Sequence, residues 1–127
     1  MKNNKDFLKE AWENLANIQK DNSIVPDLWI LLRTEWSYLF ESLMRNRLIQ
    51  GAFRYGLLHS LDKPQYDRVS SMERRLKLYK ETGNTELLVD IANLALMEFE
   101  EGIHPNKHFK VETGEHCTTL TNPPMKG

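Results

Sequence analysis

A chain of 127 residues with 28% charged and 40% hydrophobic side chains is one domain by length and long enough to bury a core. Its formal net charge of -1 supplies no overall attraction to nucleic acid, although local basic clusters leave that partner open. The start MKNNKDFLKE is polar, every apolar run is broken well short of about 18 residues, and the lone Cys117 has no intrachain disulfide partner. The expectation is a cytoplasmic protein with no signal peptide and no membrane span.

The first predicted element covers residues 5–19, where Phe7, Leu8, Ala11, Trp12, Leu15 and Ile18 recur at helical spacing with charges opposite. After a polar KDNS segment, Val25-Pro26-Asp27 opens a second, long helix. Pro suits a first helical turn and Asp the positive end of the dipole. This helix is expected to run to Gln50 and stop at Gly51, with Leu28, Leu32, Trp36, Leu39 or Phe40, and Leu43 on its packing stripe. Trp29, Trp36, Tyr38 and Phe40 nearly circle it, more aromatic surface than one small bundle needs, and a homodimer would cover the excess.

GAFRYGLLHSLDKP, residues 51–64, has no sustained period and reads as a loop with at most a short helical turn. A third helix follows over 65–81, seamed by Val69, Met72, Leu76 and Tyr79. Thr82-Gly83-Asn84 closes it and opens the fourth. Gly suits the left-handed position after a helix, and Asn is a good N-cap. The fourth helix ends near Gly102. The expected architecture is all-α, an irregular bundle of four main helices over residues 1–110 with a polar loop, and a weakly structured C-terminal extension over 111–127.

From Leu87 to Met97 every residue is apolar except Asp90 and Asn93, which marks this helix as the central one. A buried carboxylate costs several kcal/mol unless it is paired, so Asp90 requires a basic partner. Glu86, Asp90 and Asn93 are spaced by four and then three residues and share one face. The two acids repel unless a cation or a basic side chain lies between them, and magnesium with its oxygen ligands is chemically suitable. Two readings stand side by side. In one, Glu86 is a solvated first-turn acid while Asp90 and Asn93 tie the helix to its neighbours; in the other, the face is a ligand site.

Arg54, Lys63 and Arg68, with Tyr55 and Tyr66, surround the glycine-containing loop. Such a set suits a phosphorylated ligand, with cations for phosphate and tyrosines for a base face, and equally an ordered connector whose cations pair with Asp62, Asp67 or Asp90. Arg68, Arg74, Arg75, Lys77 and Lys80 make the third helix basic, which reads first as a solvated face. His104 and His108 follow the fourth helix, where Pro105 prevents a helical H-x3-H zinc face, so local packing or a role beside Asp90 is expected of them.

Three resemblances attach to these residues. Arg54-Tyr-Gly-Leu-Leu-His59 is similar to the R-x4-H motif of ribonucleases of the HEPN class, a motif carried on a continuous helix. Glu86-Leu-Leu-Val-Asp90 resembles the second acidic motif of MazG-like all-α nucleotide pyrophosphohydrolases, with three residues between the acids where that family has two. This likeness implies a magnesium-dependent enzyme in which Glu86 and Asp90 are metal ligands and Glu35 or Glu41 completes the site. RYG, YDR, TGN, LVDIAN, EF and HP with HF, over about residues 50–109, resemble a family of small helical proteins of bacteriophages and mobile elements. That likeness implies an accessory, anti-defence binding protein for a protein partner or a phosphorylated small molecule. Its expected ligand contacts are Arg54, Tyr55, Lys63, Tyr66, Arg68, Asp90, Asn93, His104 and His108.

Overall fold

The computed structural model describes residues 4–18, 25–61 and 64–111, and every element among them is a helix. These are α1 (Asn4–Ile18), α2 (Leu28–Thr34), α3 (Tyr38–Tyr55), α4 (Arg68–Thr82) and α5 (Glu86–Glu101). The all-α bundle follows from the sequence, with five helices in place of four. The tail expected beyond residue 111 lies outside the described residues. None of the described helices is long and apolar enough to cross a membrane.

The additional helix arises because the expected 26–50 element is two. α2 starts at Asp27, whose carboxylate accepts from the backbone N–H of Trp29 (2.8 Å) and Ile30 (3.2 Å). It ends at Thr34, two residues before Trp36, and Ser37 then takes an extended conformation and caps α3, its Oγ accepting from Phe40 N at 3.0 Å. A serine that supplies a new N-terminus competes directly with helix continuation. Trp36 braces the corner by donating its indole N–H to Glu41 Oε2 at 3.0 Å. That bond, with a second from Arg45, holds the Glu41 carboxyl below its ordinary range.

α3 then runs through Gly51, the expected stop, to Tyr55. The true terminator is Gly56, whose φ of +92° favours glycine. Gly83 closes α4 as expected, in the left-handed region at φ +70°. Asp67, rather than residue 65, opens α4. Its carboxylate accepts from Ser70 N at 3.0 Å and from Ser70 Oγ at 2.7 Å, which lowers its pKa. Asn84 Oδ1 accepts from Glu86 N at 3.1 Å, so it serves the start of α5 although Thr85 occupies the cap position.

Helix packing centres on α5, which lies most extensively against α4 and then against α3. Val89 of α5 is the buried hydrophobic among the described residues, and Asn93 and Arg68 are the buried polar ones. The central position expected for α5 is therefore right, but most of its apolar residues are half-buried rather than sealed. α1 and α2 make no comparable helix-to-helix contact, and Trp12 ties them together by donating its indole N–H to Pro26 O at 2.6 Å.

Gly51, inside α3, and Gly83, at the end of α4, carry opposite expectations. A methyl at Gly51 meets nothing within 4 Å and removes backbone freedom from the unfolded chain, so Gly51→Ala raises stability by about 0.5–1 kcal/mol. Gly83→Ala forces a side chain into the left-handed region and lowers stability by about 1 kcal/mol. Chemical denaturation of the two variants measures both signs.

Candidate functional site

The polar face of α5 meets cations from both neighbouring helices. Arg47 of α3 bridges the two acids: its Nη2 pairs with Glu86 Oε1, and its Nε lies 3.5 Å from Asp90 Oδ1. Arg75 of α4 approaches the other oxygen of Asp90, Nε to Oδ2 3.8 Å, while its Nη1 donates to Ser71 O at 3.2 Å. The basic side chain required between Glu86 and Asp90 is thus Arg47. One turn further along, Asn93 donates its amide N–H to Met44 O at 3.0 Å, bonding α5 to the α3 backbone.

At the far end of α5, Arg68 is 8% exposed and its Nη2 donates to Glu101 Oε1 at 3.1 Å, with Glu98 4.0 Å from Nη1. A guanidinium so enclosed, at the first residue of α4 and against the last turn of α5, fastens two helices. That occupation differs from the ligand contact expected of it.

An open cavity of about 650 Å³ lies between α3, the 56–67 connector, α4 and α5. It brings together Arg54, Tyr55, Tyr66, Arg68, Asp90 and Asn93 from the expected ligand set, and adds Arg47 and Arg75. Leu48, Leu58, Leu94 and Met97 supply apolar wall. Tyr55 and Tyr66 meet edge to face across the connector, ring centres 6.3 Å apart at 72°. Arg54, in the last turn of α3, is exposed, and its side chain has no ion pair or hydrogen bond among the described residues. Asn93 is 5% exposed, and its Oδ1 is buried without a hydrogen-bond partner.

The other residues expected at the site fall elsewhere. Lys63 lies outside the described residues. His104 and His108 are exposed and do not line the cavity; they shape a turn, with His104 Nδ1 accepting from Asn106 N at 3.0 Å and His108 Nδ1 2.8 Å from Asn106 O. His59 follows Gly56, so the continuous helix carrying an R-x4-H pair is broken between Arg54 and His59. Arg74, Lys77 and Lys80 are exposed, as a solvated face requires, and Arg75 leaves that group to face Asp90.

A magnesium centre does not fit the donors in this arrangement. Glu86 and Asp90 are joined through a guanidinium, which supplies donors and no oxygen ligand. Glu41 is held by Trp36 and Arg45, and no three His, Cys, Asp or Glu side chains gather among the described residues.

Sequence reasoning identified the need of Asp90 for a cation without naming Arg47 or Arg75. The i, i+4 acids were the available signal, but which arginine reaches them depends on how α3 and α4 cross α5. The partner of Asn93 is a backbone carbonyl and carries no side-chain signal.

The enclosure of Arg68 has a measurable consequence. Glu98→Gln with Glu101→Gln leaves a buried cation without a counter-charge and is expected to cost about 3–5 kcal/mol, whereas Arg68→Met, which removes the cation and keeps its bulk, costs much less. Urea denaturation of the two variants compares them directly. Comparison of the chain with protein-family models, with curated proteins and with solved structures finds no match.

Proposed function

We propose that the protein is a small accessory binding protein that takes a phosphorylated small molecule into the cavity between α3, α4 and α5. One observation carries the reading: three of the four cavity arginines face carboxylates, and Arg54 faces none among the described residues. A guanidinium at the rim of a concave, partly apolar site suits a phosphate, to which it donates two parallel hydrogen bonds. The volume lies within the range of small-molecule sites, about 300–1,000 Å³. Tyr55 and Tyr66 offer ring surface for a planar group. The phage or mobile-element setting rests on the sequence likeness alone.

Ligand binding to the native state raises the melting temperature, by an amount that grows with the logarithm of ligand concentration above Kd. Thermal unfolding with a panel of nucleotides and sugar phosphates is expected to give a shift in the wild type. Arg54→Ala, on an exposed helix end, is expected to melt like the unliganded wild type and lose the shift. The MazG-like alternative makes a different prediction, turnover that requires magnesium and disappears in Asp90→Asn. Such turnover would overturn the binding-only reading.

A second feature concerns assembly. Phe7, Trp29, Trp36 and Tyr38 are each more than half exposed. At about 150–250 Å² per fully buried aromatic, they leave on the order of 400 Å² uncovered. With Leu15, Ile18, Ile30 and Leu39 beside them in sequence, also exposed, this approaches the roughly 800 Å² that each partner contributes to a standard interface. A homodimer is therefore proposed, and a folded monomer by light scattering across micromolar concentrations would refute it.

A further inference from the structure

We infer that the outer face of α3 docks on the same face of a second copy, the two helices lying antiparallel across a two-fold axis beside Asn46. The inference rests on the homodimer reading above and names the contact that joins the copies.

α3 is apolar on two faces. Phe40, Met44 and Leu48, four residues apart, are half-buried on one of them. On the other, Leu39, Leu43, Ile49 and Phe53 are 71, 43, 59 and 89% exposed. With the rest of the described chain in place, this outer face stays open. It begins at the rim of the cavity, which Ile49 and Gln50 also border.

The outer face reads alike in both directions from Asn46. Three residues away stand Leu43 and Ile49, four away Ser42 and Gln50, and seven away Leu39 and Phe53. Offsets of three, four and seven keep them on one side of a helix. In an isologous dimer the same patch meets itself, and a two-fold axis between antiparallel helices sets each residue before Asn46 level with the one equally far after it in the partner. Leu39 then lies level with Phe53, Leu43 with Ile49, Ser42 with Gln50, and Asn46 with its own copy. The Asn46 amide both donates and accepts, so two copies can bond reciprocally. Ser42 donates to Tyr38 O at 2.9 Å and keeps its oxygen for the Gln50 amide. A single polar residue inside a helix pair fixes register and strand number.

Charge and area agree with this occupant. The four charged residues of α3, Glu41, Arg45, Arg47 and Arg54, all lie off the palindromic positions, and depletion of charge marks the centre of an interface. At about 200 Å² for a phenylalanine and roughly 100 Å² for a buried aliphatic side chain, the four apolar residues present on the order of 350 Å² per copy. An interface core is roughly 65% apolar, so the two copies together bury about 1,100 Å². A specific interface needs about 1,000 Å².

The test is light scattering of the full chain at micromolar concentrations, joined to cysteine crosslinking. Phe53→Glu and Leu39→Glu, both at exposed positions, are expected to keep the wild-type circular dichroism and weaken the dimer at least tenfold, while Phe99→Glu, exposed on α5, leaves it unchanged. In a Cys117→Ser background, Asn46→Cys is expected to crosslink to its own copy on mild oxidation. Helix axes about 8–10 Å apart bring Cα atoms beside the axis within the roughly 4.4–6.8 Å that a disulfide spans. Leu39→Cys and Phe53→Cys, each inert alone, are expected to crosslink when mixed. A monomeric or higher-order wild type would overturn both this contact and the homodimer. A dimer that survives both glutamate variants, or whose Asn46→Cys variant does not crosslink, overturns the α3 contact and leaves the homodimer to the surfaces of α1 and α2.

Discussion

Asp90 is shared by two helices, and the arrangement of the described core depends on that sharing. Arg47 reaches one carboxylate oxygen from α3 and Arg75 reaches the other from α4, so a single side chain on α5 sets the spacing of both neighbours. The separations of 3.5 and 3.8 Å are longer than good hydrogen bonds, which makes the attraction mainly Coulombic. Arg47 and Asp90 are both partly exposed, so each pair contributes no more than about 1 kcal/mol. Their larger role is geometric. Arg47 also satisfies Glu86, and two like charges one turn apart become a tolerated pair because a cation stands between them.

Around that centre the helices are fastened by polar contacts to an unusual degree. Asn93 grips the α3 backbone at Met44, and Arg68 closes the other end against Glu98 and Glu101. The apolar contact is spread over half-buried side chains of α4 and α5, with Val89 the buried hydrophobic among the described residues. Polar fastening confers register more than stability, because each group gives up water to make its bond. The same fastening borders the cavity. Arg47, Arg68 and Arg75, each facing a carboxylate, line the space between α3, α4 and α5.

Much of this was legible in the sequence. Helical periodicity in KDFLKEAWENLANIQ, and the Gly83 break between two helical patterns, follow from side-chain spacing and from the φ angles open to glycine. The need of Asp90 for a cation followed from the cost of desolvating a carboxylate. The corner at Trp36-Ser37 was not legible in the same way. Ser37 favours a cap locally, but the apolar stripe runs across it, and periodicity alone joins α2 to α3. Gly51 misled in the other direction, because a glycine inside a helix costs only about 1 kcal/mol, which the surrounding turns of α3 absorb.

The sequence by itself determined an all-helical chain, an α5 at its centre, and the chemical demand of each polar residue on that helix, because these depend on neighbours within a few residues. Only the tertiary structure decided which cation answers which acid. It gave Arg47 and Arg75 to Asp90, committed Arg68 to the glutamates of α5, and left Arg54 uncommitted among the described residues. Those choices turn on the crossing of helices separated by dozens of residues, and the sequence carries several arginines of equal local merit. Which arginine is left over is therefore decided by the crossing, a property no single helix possesses.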